Sequence, residues 1–188
     1  MADLRAQRRG PLDAVALPAT DKVAVTISPA ASRFVLRGAA DIAAAASAVF
    51  GVALPQHLNR AEGQGRVVIM IGPDEWLLIA ENEDTTSLGQ KLEAAMADRP
   101  HSLVDISHRQ IGFDVKGRLA TLALSSGCPL DMRRDAFPIG MATRTIFHKA
   151  EIILWRQAED CFRIEVWRSF APYLIGHVKA ACDGAADL

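Results

Sequence analysis

The sequence predicts an α+β protein built from two pseudo-repeated ββαββα halves with mixed or antiparallel sheets. Three observations carry that expectation. First, apolar spacing along the chain reads twice as strand, strand, helix, strand, strand, helix. Second, local strings match at corresponding places. Phe34-Val35-Leu36-Arg37-Gly38 resembles Phe113-Asp114-Val115-Lys116-Gly117, and Asp74-Glu75-Trp76 resembles Asp160-Cys161-Phe162. Third, no Gly/Ser-rich linker separates the halves, so their apolar sheet faces are expected to join in one intertwined domain. The expected bounds are an extended arm at 1–20, a first half at 21–99 and a second at 100–184.

Taken in order, the arm holds Gly10, Pro11 and Pro18 and lacks periodicity. Val23–Ser28 and Arg33–Arg37 are β-rich, and the Pro29-Ala30-Ala31-Ser32 turn between them predicts a hairpin. Gly38 introduces a helix at 39–50, with Ile42, Ala45, Ala46, Val49 and Phe50 on one face. A loop with Pro55, Gly63 and Gly65 follows. Two apolar runs, Arg66–Ile71 and Trp76–Ala80, flank a Gly-Pro-Asp turn and predict a second hairpin. Leu88, Leu92 and Met96 mark one face of a helix at 84–97 that Asp84 or Thr85 can cap.

The order then restarts. Leu103–Ser107 and Gln110–Lys116 are strand-like, and a helix at 118–126 places Leu119, Leu122 and Ala123 together. After a turn-rich stretch at 129–140 come strands Arg144–His148, Glu151–Arg156 and Cys161–Trp167. A last helix starts near Ser169, tolerates Pro172 in its first turn, and buries Leu174, Val178 and Ala181.

Bulk composition narrows the function classes. Half of the 188 residues are hydrophobic and only 6% are aromatic, so the core rests mainly on aliphatic side chains. A net charge of -1 gives no basic field for nucleic acid. No apolar run approaches the roughly 20 residues that span a bilayer. The first residues lack the apolar stretch of a secretory signal, so the expected location is the cytoplasm, with no membrane partner. Cys128, Cys161 and Cys182 are odd in number, far apart and without a CxxC pair, which argues against disulfides and structural zinc.

Candidate chemistry is sparse. His57, His101, His108, His148 and His177 form no HxH or HExxH pattern. Asp105, Ser107 and His108 sit in one turn, where polar turn-forming residues explain them better than a triad does. Asp74 and Glu75 are adjacent at a hairpin turn and point apart. Gly63-Gln64-Gly65 is not a phosphate loop. No catalytic, cofactor-binding or metal residue is therefore expected in this chain. Trp155-Arg156 and Trp167-Arg168 are two Trp-Arg pairs on strands expected to be neighbours. Trp and Arg are common interface anchors, so these four residues are the candidate subunit interface.

Several strings together resemble the sarcosine oxidase gamma subunits, which belong to the glycine-cleavage T-protein-like superfamily. They are Arg9-Gly10-Pro11-Leu12, the run from Ile71 through Gly72-Pro73-Asp74-Glu75-Trp76 to Leu78, and Val104-Asp105-Ile106-Ser107-His108-Arg109. Gly127-Cys128-Pro129-Leu130-Asp131, Phe137-Pro138-Ile139-Gly140 and the run from Phe162 to Ala171 complete the set. The resemblance implies a T-protein-like (folate-binding domain) fold in a cytoplasmic heterotetramer with alpha, beta and delta subunits. That complex demethylates sarcosine oxidatively to glycine, formaldehyde (or methylenetetrahydrofolate) and hydrogen peroxide. It also implies that FAD, FMN, NAD, tetrahydrofolate and zinc belong to the other subunits and that this chain holds none. The competing expectation is a stand-alone folate-binding one-carbon transfer or assembly protein of the same superfamily.

Overall fold

The computed structural model describes residues 10–12 and 15–186, with only the backbone of Ala186. Most of the N-terminal arm's first half, including Arg5, Arg8 and Arg9, lies outside the described residues. What is described of the arm lies on the domain: Leu12 is buried in the core of the second half, with Val15 and Leu17 packed beside it.

The strands are β1 (Ala24–Ile27), β2 (Ala31–Gly38), β3 (Ala61–Glu62), β4 (Arg66–Gly72), β5 (Glu75–Glu81), β6 (His101–Asp105), β7 (Gln110–Lys116), β8 (Ala142–Phe147), β9 (Ala150–Ala158) and β10 (Cys161–Trp167). The helices are α1 (Ala40–Phe50), α2 (Thr85–Met96), α3 (Ala120–Ser125) and α4 (Ala171–Ala186), the last entered through a short 3₁₀ turn at Arg168–Phe170. None of the described helices is long and apolar enough to cross a membrane.

Two antiparallel five-stranded sheets result, ordered β1-β7-β10-β9-β8 and β3-β4-β5-β2-β6. Written from the other end, the second sheet is β6-β2-β5-β4-β3, the pseudo-repeat of the first. Register makes the match residue by residue. Arg37 pairs with Glu75 as Lys116 pairs with Cys161, and Phe34 pairs with Leu78 as Phe113 pairs with Ile164.

The first hairpin of the sequence reading does not form. β1 pairs with β7, and β6 pairs with β2, so each half lends its first strand to the other half's sheet. The Pro29-Ala30 segment is thus a bridge between sheets, not a turn within one. Gly117 permits this exchange. Its φ is +131°, and a Cβ there would lie 2.3 Å from the Lys22 carbonyl oxygen, so only glycine lets the β1 entry pass so close.

The period-two alternation of the strands builds three cores in four layers. Phe34, Leu36, Val68, Met70, Trp76 and Leu78 face α1 and α2. Phe113, Val115, Leu154, Phe162, Ile164 and Val166 face α3 and α4. The opposite faces meet between the sheets, where Val67, Ile69, Leu77 and Ile79 pack against Ala142, Ile153 and Trp155.

The helix faces follow the spacing with one exception. Leu88, Leu92 and Met96 are buried, and the Asp84 carboxylate accepts the Ser87 N–H at 2.7 Å as the cap of α2. Leu122, however, points outward at 45% exposure, because α3 spans only six residues and turns Ala120, Ala123 and Leu124 inward. The two-residue β3 replaces part of what reads as loop in the sequence, and Ala61 and Ala142 beside it tie the edges of the two sheets through the Gly140 and Asn59 carbonyls.

Candidate functional site

The inner layer between the sheets is where the two halves differ chemically. Arg33 reaches from β2 across to β10, donating from Nε to Glu165 Oε2 at 2.7 Å and from Nη2 to Oε1 at 3.3 Å. Arg163 donates from Nε to Glu165 Oε1 at 2.9 Å and from Nη1 to Glu81 Oε1 on β5 at 2.6 Å. Arg33, Arg163 and Glu165 are all buried. Room for the Glu165 carboxylate comes from Gly112, where a Cβ would lie 2.7 Å from Oε1. Burial opposes the charge of Arg163, but Glu165 and Glu81 outweigh it and leave its pKa raised.

Asp114, paired in register with Arg163, sits at the edge of this network. Burial pushes its carboxyl above the usual range, against the pull of Arg163 and Lys116. The four-residue network holds two guanidinium and two carboxylate groups in mutual contact. Its chemistry is that of a clamp between sheets: the Glu165 oxygens both accept, so neither is poised as an acid or base.

Several other candidate groups are engaged elsewhere. Ser107 Oγ donates to Asp105 Oδ1 at 2.5 Å and accepts the Arg33 N–H at 2.9 Å, so these two residues close the turn after β6 rather than serve His108. Asp74 pairs with Arg37, while Glu75 pairs with Arg144 on β8, so the adjacent carboxylates diverge. Burial raises the thiol pKa of Cys161, and raises that of Cys182 to about 11. Both are therefore thiols at neutral pH, and Cys128 is buried near Thr145 Oγ1. His148 and His177 stack at 4.3 Å, with Tyr173 edge-on to His177 at 4.4 Å. Among the described residues no group of three or more His, Cys, Asp or Glu is arranged to hold a metal ion.

The four Trp-Arg residues divide. Trp155 is half-buried in the inner layer. Arg156 is 4% exposed; its Nη1 donates to the Phe137 carbonyl at 2.7 Å, and its guanidinium lies 4.8 Å from the Phe162 ring centroid. That side chain ties the 129–140 stretch to the sheet, so Arg156 is held inside the chain while Trp155 keeps part of its surface exposed. Trp167 and Arg168 reach the surface at the end of β10. Sequence reasoning missed Arg109, whose guanidinium stacks over the Trp167 ring at 5.2 Å. No local motif marks it, because the contact joins the turn after β6 to the far end of β10.

The family model for the sarcosine oxidase gamma subunit matches residues 37–184. The chain belongs to the sarcosine oxidase gamma subunit family. Among curated relatives, sarcosine oxidase subunit gamma of Corynebacterium sp. (strain P-1) is 33% identical over 140 residues, 73% of this chain and 68% of that one. The subunit gamma of an Arthrobacter species is 33% identical over 123 residues, 64% of this chain and 60% of the relative. In structure, a chain of the heterotetrameric sarcosine oxidase from Corynebacterium sp. U-96 superposes with a TM-score of 0.88 at 27% identity, covering 95% of this chain and 96% of that chain. The glycine cleavage system aminomethyltransferase T of Bartonella henselae gives a TM-score of 0.64 at 10% identity, covering 82% of this chain and 44% of that chain. At that identity the second match establishes the fold alone. The gamma subunit family thus has the T-protein-like architecture that the repeat and the four layers display.

Proposed function

We propose that this chain is the gamma subunit of a heterotetrameric sarcosine oxidase and contributes structure rather than chemistry to it. The observation that carries the reading is the near-complete superposition on one chain of such an oxidase. The chemistry of the described residues agrees with it: the buried Arg33, Arg163 and Glu165 are ion-paired, and burial holds Cys182 as a protonated thiol. In this reading the alpha, beta and delta subunits carry FAD, FMN, NAD, tetrahydrofolate and zinc, and the complex works in the cytoplasm. It converts sarcosine, oxygen and water to glycine, formaldehyde and hydrogen peroxide, or delivers the methyl carbon to tetrahydrofolate.

Co-expression with the alpha, beta and delta subunits tests the assignment. The chain is expected to co-purify with a yellow complex that releases hydrogen peroxide on addition of sarcosine. A chain that ignores those subunits and binds tetrahydrofolate alone would overturn the reading in favour of a stand-alone one-carbon protein.

A further inference from the structure

A cavity of about 100 Å³ lies between the sheets at the Trp167 end of β10. Val35 and Leu77 line it from one sheet, Ile153 and Trp167 from the other. One buried water needs roughly 10–15 Å³ of such space, so the cavity holds several waters or one small molecule. Its lining mixes apolar and polar groups, and two of the charged ones are already spent. Arg144 is bonded to Glu75, and both Glu165 oxygens accept from arginines. Three other polar groups on the lining are not spent. The Gln110 side-chain carbonyl is buried with no hydrogen-bond partner among the described residues. Arg109 and Glu151 each lack an oppositely charged group within ion-pair distance among the described residues, and they do not pair with each other.

The duplication shows that the fold does not require these three groups. Gln110 pairs with Trp167 as Ala31 pairs with Glu81, so Arg109-Gln110 corresponds to Ala30-Ala31. Glu165 pairs with Ile153 as Ile79 pairs with Val67, so Glu151, two residues earlier on its strand, corresponds to Gly65. A buried acceptor without a donor costs stability, and the first half avoids that cost with an alanine. Position adds a second point. Gln110 is opposite Trp167, and Val166 is opposite Ile152, so β10 separates Arg109-Gln110 from Glu151. The cation and the carboxylate thus stand on opposite sides of one strand, two strand spacings or about 10 Å apart along the sheet.

We propose that this cavity binds a small zwitterion, an amino acid with little or no side chain. Its carboxylate pairs with Arg109. Its ammonium group donates to Glu151 and to the Gln110 carbonyl, and its carbon atoms lie against Val35 and Leu77. An anion alone would leave Glu151 and Gln110 without a partner, and a cation alone would leave Arg109 without one. A long side chain would exceed the volume. The ligand class follows from the lining, whereas the choice of glycine and sarcosine as probes rests on the gamma-subunit reading.

The experiment titrates glycine and sarcosine separately into the full-length chain without the other subunits. NMR follows the Gln110 side-chain amide and the Trp167 indole. Saturable shifts at both residues are expected, with one molecule bound per chain. Arg109→Gln and Glu151→Gln alter exposed positions and are each expected to weaken binding at least about tenfold. Gln110→Met is expected to weaken it likewise without lowering the melting temperature, because the carbonyl it removes has no partner. Acetate and methylammonium each carry one of the two charges and are expected to bind at least about tenfold more weakly than glycine. Absence of saturable shifts with both probes leaves the cavity to water and overturns the site. Binding that all three variants retain unchanged overturns it too. Either result leaves co-purification with the oxidase subunits, and so the gamma-subunit reading, intact. Failure to co-purify overturns that reading while binding by the free chain still stands.

Discussion

The two halves share backbone register and differ in what they place between the sheets. Where the first half has Leu77, Ile79 and Val35 on its inner face, the second has Arg163, Glu165 and Asp114 at the matched positions. Where the first has Arg33, the second has Gly112, and Arg33 fills the space across from it. The difference teaches that register and layer thickness constrain this fold more tightly than the polarity of the inner layer. One sheet contributes a mostly oily face and the other a charged one, and Arg33 and Glu81 reach from the first to complete the ion pairs.

The matched pair Glu165 and Ile79 tests that comparison most directly. Glu165→Ala leaves Arg33 without a carboxylate in the interior and Arg163 with Glu81 alone, and is expected to cost about 3–5 kcal/mol in urea unfolding. Ile79→Ala only removes buried methylenes, and its expected cost is about 2–5 kcal/mol, at the lower end if the surrounding aliphatic layer relaxes. A Glu165→Ala variant more stable than Ile79→Ala would mean that water enters and rescues the guanidinium groups. Next in size is the contrast between helix entries. Asp84→Ala should destabilise the first half by about 1 kcal/mol. Ser169→Ala in the second half should fall within about 0.5 kcal/mol of wild type, since the 3₁₀ turn there has no side-chain cap.

The smallest effect concerns Asp114, whose counterpart is Val35. Burial raises its folded pKa above the unfolded value. Its contribution is therefore favourable below the unfolded pKa and is lost as pH rises through the folded one. Asp114→Asn should be more stable than wild type at pH about 7, and the gain should vanish on acidification below about pH 4. A gain that persists in acid would trace instead to packing. Paired urea midpoints at the two pH values separate these outcomes.

Much of the fold is legible in the sequence because it rests on local signals. Phe34 to Gly38 and Phe113 to Gly117 do occupy equivalent strands, and Asp74-Glu75-Trp76 does align with Asp160-Cys161-Phe162. The destination of β1 is not local. Sequential strands usually pair, and Pro29-Ala30 has turn chemistry, so a hairpin is the natural expectation. Only the long-range match of β1 to β7 overrides it. The charged clamp is hidden for a related reason. Arg163 and Glu165 alternate with Phe162, Ile164 and Val166, which reads as a half-solvated strand until a second sheet covers it. Likewise, the dipeptides Trp155-Arg156 and Trp167-Arg168 look alike. Their different fates follow from one lying in mid-strand between two layers and the other at a strand's end.

The exchange of β1 and β6 has a consequence for synthesis. As the chain leaves the ribosome, β1 emerges first, yet its partner β7 is completed only at Lys116. The sheet of β2, β4 and β5 likewise waits for β6 to cover the flank of β2. The first half therefore spends its early life with an unsealed edge and an orphan strand, a state open to wrong pairings with neighbouring nascent chains. A truncation at residue 99 would make that state permanent. The order of translation thus makes the first half dependent on the second, even though the two carry the same plan.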